Sequence, residues 1–419
     1  MKILIKKARL ICTASPYHGQ IVDIFIDSGR IQQISNLIDK SADHVIAVGD
    51  LHVSIGWMDI FAAFEDPGAE HKETITSGAM AAAAGGFTDV MVLPNTSPTV
   101  STKSIVEYIK QKASQLPVNV HPIAAITKNT EGRELTEMYD MFASGAVAFS
   151  DGTHSIQSPG LLLKALQYVL PLSATVIQVP DDKSISNHGL MNEGILSTQL
   201  GLPGRPAIAE ELMIARDIEL VQYTGSRLHI TGVSTKKGIE LIKAAKHAGL
   251  QVSCSVSPAH LLFCDEDLSG YDTNLKLNPP LRTAQDRAAL QQGLVDGTIN
   301  CIASHHFPQH WDDKTCEFEY AKNGTIALQN VFGVANNFVT DTSSLIDRLT
   351  VTPRNIFGLE LPQLVEGAQA CLTLFTTNEE YTFEESMIRS SSRNSAFIGA
   401  SMKGRVIGII NNNQISKNV

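Results

Sequence analysis

Between residue 56 and about residue 310 the chain alternates short apolar runs with amphipathic helical patterns, eight times over. Residues 56–63, 87–93, 118–124, 146–149, 174–179, 227–231, 251–256 and 301–304 read as buried strands. Helical patterns fall between them, among them 104–114, 209–223, 234–248 and 284–295, with Ser234 as the expected N-cap of the third and Gly249 as its left-handed stop. Strands that alternate with helices imply a parallel sheet. Eight such units over this length suit a closed (β/α)8 TIM-like barrel.

The flanks follow another period. Ile21-Val-Asp-Ile-Phe-Ile26 leads into an Asp27-Ser-Gly29 turn, and Cys371-Leu-Thr-Leu-Phe375 and Arg405-Val-Ile-Gly-Ile-Ile410 return to strands near the other end. The expected organisation is therefore α/β: a barrel over residues 56–355 and a small β-sandwich domain built from both termini, residues 1–55 and 356–419. No internal repeat or low-complexity tract interrupts it. Gly85-Gly86 and the glycines of Gly201-Leu-Pro-Gly204 read as turn glycines, since neither matches a nucleotide-binding fingerprint.

Composition narrows the function classes. A hydrophobic content of 43% with 18% charged residues is that of a soluble globule with a large core. The net charge of −10 argues against a nucleic-acid or anionic-membrane surface, which needs concentrated Lys and Arg. Six cysteines are scattered without a C-x-x-C pair, which fits reduced thiols and a cytoplasmic protein. No apolar run approaches the roughly 18 residues of a membrane span.

In a barrel of this kind the chemistry sits at the C-terminal ends of the strands. The first end reads Met58-Asp-Ile-Phe-Ala-Ala-Phe-Glu-Asp-Pro-Gly68, followed by Glu70-His71-Lys72-Glu73-Thr74. It resembles the signature of the dihydroorotases, cyclic-amide hydrolases of the amidohydrolase superfamily: Asp-x-His-x-His-x-Arg-[Glu/Asp]-Pro-Gly. Further matches follow in order: Leu93-Pro-Asn-Thr96, Met191-Asn-Glu-Gly194, Leu200-Gly-Leu-Pro-Gly204, Lys276-Leu-Asn-Pro-Pro-Leu-Arg282, Gly293-Leu-Val-Asp-Gly-Thr-Ile299 and Ile356-Phe-Gly-Leu359. The series covers nearly the whole chain.

The resemblance implies one or two zinc ions held by strand-end histidines and acids, yet those positions have changed. Phe61 and Ala63 stand where the first two histidines would be. Val179, in Val179-Pro-Asp-Asp182, and Gly232, in His229-Ile-Thr-Gly-Val-Ser234, replace the histidines after strands five and six. His305, in Ser304-His-His-Phe-Pro-Gln309, replaces the catalytic aspartate after strand eight. Only Asp151 keeps a ligand-type side chain, after strand four. Phe, Ala, Val and Gly offer zinc no donor, and catalytic sites need at least three from the protein. Without a metal the attacking water keeps its pKa near 15.7 instead of about 7, roughly 12 kcal/mol at 1.36 kcal/mol per unit. Glu65 occupies the place of the substrate-gripping arginine, so charge is reversed beside the retained Asn95. Asn278 and His306 match further substrate-contact positions and are expected to survive as relics.

The expectation is a metal-free, catalytically silent homologue in which protein side chains or water fill the former metal position. Phe61 would supply most of that volume, and His305 or a water would hydrogen-bond Asp151 if that acid points inward. The resemblance implies a structural or regulatory role in pyrimidine biosynthesis as an assembly partner of aspartate carbamoyltransferase, with a homo-oligomeric state. The alternative is an active dihydroorotase, or related cyclic-amide hydrolase, with a displaced metal site drawing on His305, His306 and His310. His260 and the Asp181-Asp182 pair are expected to be structural.

Overall fold

The computed structural model describes residues 1–418. Its barrel strands are β1 (Trp57–Ala62), β2 (Phe87–Val92), β3 (Asn119–Ala124), β4 (Ala148–Phe149), β5 (Thr175–Gln178), β6 (Arg227–Ile230), β7 (Val252–Val256) and β8 (Cys301–Ile302). They hydrogen-bond in that order, all parallel. The eight runs of the sequence therefore give eight strands, each buried on both faces as a helix-wrapped parallel sheet requires. The ring closes just beyond its regular strands. Ala62 bridges His306 in parallel, and the Ala63 N–H donates to the His306 carbonyl at 2.8 Å. Asp59, fully buried on β1, accepts the backbone N–H and the hydroxyl of Ser304 at 2.6 and 2.8 Å.

The two ends of the chain meet in one mixed eight-stranded sheet. His52–Ile55 from the N-terminal part pairs antiparallel with Leu372–Phe375, which carries Val406–Asn411 and Gln414–Lys417 on its other side. Ile3, Ile24, Val53, Leu372 and Ile410 are part of the apolar core of this unit. Trp57 joins it to the barrel: fully buried, its ring lies 5.3 Å from Phe375 and 4.8 Å from Phe332. Gly86 makes room for that ring, since a Cβ there would sit 2.7 Å from the indole and its φ is +89°.

One helix start differs from expectation. The helix Lys236–His247 is capped by Thr235, whose hydroxyl accepts the Gly238 N–H at 3.1 Å. Ser234 lies one residue before the cap, and its N–H and hydroxyl, like those of Thr235, donate to the buried Glu210 carboxylate. Gly249 does take the left-handed conformation after that helix, at φ +79°. Among the described residues the six cysteines are free, and no helix is long and apolar enough to cross a membrane.

At the base of the barrel Asp89 pairs with Arg354 at 2.6 Å and with His121 at 2.9 Å. Burial opposes its charge, but the His121 hydrogen bond and the Arg354 and His121 charges hold its carboxyl well below the ordinary range. A depressed folded-state pKa gives stability that is present above the unfolded pKa and lost as pH falls. Asp89→Ala, which strands the fully buried Arg354, is expected to cost about 3–5 kcal/mol at pH 7 in urea unfolding. The gap between wild type and variant should narrow below about pH 4, where the unfolded carboxylate takes up its proton.

Candidate functional site

The strand ends converge on a plug of protein. Phe61, ending β1, and Val179, just past β5, lie in one buried apolar cluster with Met58, Met91, Ile123 and Ile177. The Phe61 ring faces the His305 imidazole, with centroids 4.7 Å apart and planes 34° from parallel, and Phe307 meets it edge-on at 6.2 Å. Gly232 makes the arrangement possible. A Cβ at that position would come within 2.8 Å of His305 Cε1, so the imidazole occupies the space that a side chain at 232 would fill.

A hydrogen-bond chain anchors His305 from below. Ser253 bonds His229 Nδ1 at 2.8 Å, and His229 Nε2 bonds Ser255 at 3.0 Å. The Ser255 hydroxyl donates to Thr231 at 2.8 Å, and Thr231 lies 2.9 Å from His305 Nε2. Each hydroxyl has one proton. Ser255 spends its proton on Thr231, so His229 Nε2 donates, while the His305 tautomer sets which side of the Thr231 bond gives the proton. Burial pushes both imidazoles down to about 3, so both are neutral near pH 7. The expected bond from His305 to Asp151 is not formed. Asp151 is turned to Thr127, accepting its N–H at 2.9 Å and its hydroxyl. Burial raises the Asp151 pKa, and the Thr127 bonds oppose the shift.

This chain was missed at the level of sequence, although a signal for it existed. His229 and Thr231 are two residues apart on and just past β6, as are Ser253 and Ser255 on β7, and residues two apart face the same side of a strand. Two inward polar pairs on adjacent strands predict a buried network. Thr127, which holds Asp151, carries no comparable mark.

Above the plug a cavity of about 520 Å³ opens at the barrel mouth, with Ala63, Glu65, Asn95, Asn278, His260 and His305 in its wall. Glu65 is partly buried, which raises its pKa, while Lys72 and Lys322 draw it back down. Asn95 is committed to the loop after β4: its Nδ2 donates to the Asp151 carbonyl and its Oδ1 accepts the Thr153 N–H, both at 3.1 Å. Asn278 accepts from Arg205 at 2.7 Å, and Arg205 in turn pairs with Asp181. His260 is held between Ser257 and the Pro280 carbonyl, and Asp182 caps the short helix that follows it.

His306 is not in the cavity wall. Its Nε2 lies 3.4 Å from the buried Glu73 carboxylate, and its Nδ1 accepts the Ala327 N–H. His310 is exposed and pairs with Asp312 at 3.3 Å. His305, His306 and His310 thus point to three different surroundings, and no group of three or more His, Cys, Asp or Glu side chains able to hold a metal occurs among the described residues. The zinc of the resemblance does not fit this donor set. Four of its positions carry no donor atom, His305 Nε2 is hydrogen-bonded to Thr231, and Asp151 accepts the N–H and hydroxyl of Thr127.

Gly232→Ala tests the packing. With φ at +69° and a Cβ pressed on the imidazole, the substitution should lower stability by about 1–3 kcal/mol in thermal or urea unfolding. Gly249→Ala, whose Cβ would meet nothing within 4 Å, should lose only the backbone part.

Similarity to known proteins agrees with the geometry of the frame. A family model described as dihydro-orotase-like matches residues 51–238. The dihydroorotase of Geotalea daltonii is 38% identical over 410 residues, and that of Pelotomaculum thermopropionicum is 39% identical over 412, each match covering 96% of both chains. Among solved structures, the L-hydantoinase (dihydropyrimidinase) from Arthrobacter aurescens matches with a TM-score of 0.85 at 22% identity, over 99% of this chain and 95% of that one. A D-hydantoinase matches at 0.83 and 20% identity, over 100% and 97%. At such identities those two likenesses speak for the fold. With a near-complete barrel, a two-ended sheet unit and full-length relatives of this similarity, the chain belongs to the dihydroorotase family.

Proposed function

We propose that this chain is a catalytically silent dihydroorotase homologue that serves pyrimidine biosynthesis as a structural or regulatory partner, with aspartate carbamoyltransferase as the protein it assembles with. The observation that carries the reading is the plug of Phe61, Val179 and His305 where a metal-activated water would have to stand. No group at the plug replaces the metal: His305 is neutral with its Nε2 committed, and Asp151 is buried against Thr127. Glu65 is the one carboxylate on the cavity wall. General-base help of about 10²–10⁴-fold falls far short of the roughly 12 kcal/mol that metal activation supplies. Reversed charge at 65 also works against a carboxylate substrate, by about 4 kcal/mol for a pair near 4 Å at an effective dielectric of 20.

Light scattering of the purified chain, alone and mixed with aspartate carbamoyltransferase from the same genome, tests the partner role. The expected result is a joint peak heavier than either protein, with the chain alone already oligomeric. Two independent peaks at micromolar concentration with unchanged transferase activity would sink it.

Catalytic silence has its own test. Protein purified from zinc-supplemented medium should carry sub-stoichiometric zinc and leave dihydroorotate unhydrolysed. Phe61→His with Ala63→His should not restore activity, because Val179, Gly232, His305 and Glu65 remain. Turnover by that double variant would show that the ligand positions are misassigned. The open cavity favours one further reading, a metal-free small-molecule binder. A metabolite screen by thermal shift tests it, since a ligand of the native state alone raises apparent stability.

A further inference from the structure

Three loops on one side of the barrel mouth carry large apolar side chains that the fold does not cover. Ile195 is 80% exposed, Tyr320 75%, Trp311 70% and Tyr271 44%. They belong to the segments after β5, β7 and β8, and these segments adjoin. The Tyr271 hydroxyl donates to the Leu200 carbonyl at 2.8 Å, tying the helix Ile195–Leu200 to the loop beyond β7. Thr273 donates to the Lys314 carbonyl at 2.7 Å and Lys314 Nζ donates back to the Thr273 carbonyl at 2.6 Å, tying that loop to the one after β8. The three segments therefore adjoin, and these hydrogen bonds pin them to one another.

Their exposed charge is mainly acidic. Glu193, Glu266, Asp267, Asp272, Glu317 and Glu319 are exposed on the same segments. Several cations on these segments are already paired: Lys314 is buried on carbonyls, Lys183 pairs with Asp181, Lys322 with Asp313, and His310 with Asp312. Exposed Trp and Tyr inside a charged rim are the composition of an interface centre, where such rings fill pockets on a partner. A second copy of this chain is a poor occupant, because a two-fold contact would set acid against acid. A nucleic acid is excluded on the same ground.

We propose that this face is a docking surface for a protein partner that presents a basic rim around apolar pockets. The proposal rests on the reading that the chain works through a partner, though not on which partner. A bound protein would also overhang the cavity, since Leu190, Leu277 and Lys322 of these loops line its wall.

The test uses the full-length chain with a photo-crosslinking phenylalanine analogue at position 320, and as control at Tyr223, which is 76% exposed at the end of helix Ile208–Thr224. Irradiation in cells of the source organism should join a protein to position 320 and not to 223. With that protein purified, Trp311→Ala and the charge reversal Glu317→Lys/Glu319→Lys should each weaken the Kd about tenfold or more, and added salt should weaken the wild-type complex. No adduct at 320, or a complex indifferent to both variants and to salt, overturns the surface. A transferase complex that survives these variants would overturn it while leaving the partner role intact. An adduct with another basic protein would support the surface and displace the transferase.

Discussion

The contact on which this molecule depends most is the seam between the first and last barrel strands. Asp59 is fully buried, and its carboxylate accepts two donors from Ser304. Burial raises its pKa, and those bonds resist the shift. The seam continues in the Ala63 bond to His306 and places Phe61 and His305 on facing sides of the closure. Everything at the centre follows from that register, since a one-residue slip would turn Phe61 outward.

The centre trades polar coordination for packing. Burying a phenylalanine ring is worth about 1.5–3 kcal/mol relative to leaving it exposed. Leaving acids without a cation would cost more than it returns. Asp151 is the acid that remains, and it is relieved by Thr127 instead of by an ion. His305 adopts a left-handed backbone at φ +46°, which costs a histidine about 1–3 kcal/mol. The Thr231 bond and the Phe61 contact hold it there. Gly232 is the complementary concession, because any side chain would expel the imidazole.

The same logic explains the polar residues around the mouth. Asn95, Asn278 and His306 look like ligand-gripping residues in one dimension. In three dimensions each is satisfied by protein: the loop after β4, Arg205, and Glu73 with the Ala327 N–H. Groups that are buried must find partners whether or not a substrate is present. Their chemistry alone does not separate a relic from a working contact.

What the sequence by itself determined is periodicity and chemistry: eight strand–helix repeats, two β-rich ends, and the absence of donor atoms at Phe61, Ala63, Val179 and Gly232. These are legible because alternation and side-chain identity are local properties. What only the tertiary structure decided is partnership. Ser234 reads as a cap, yet Thr235 beside it takes the Gly238 N–H while both residues bond Glu210 from another helix. His305 reads as a partner for Asp151 until Thr231 and Thr127 claim them separately. Trp311, Tyr320, Tyr271 and Ile195 read as unrelated residues until the loop contacts bring their segments together. A hydrogen bond goes to the nearest competent group in space, and nearness across tens or hundreds of residues is not written in any window of the chain.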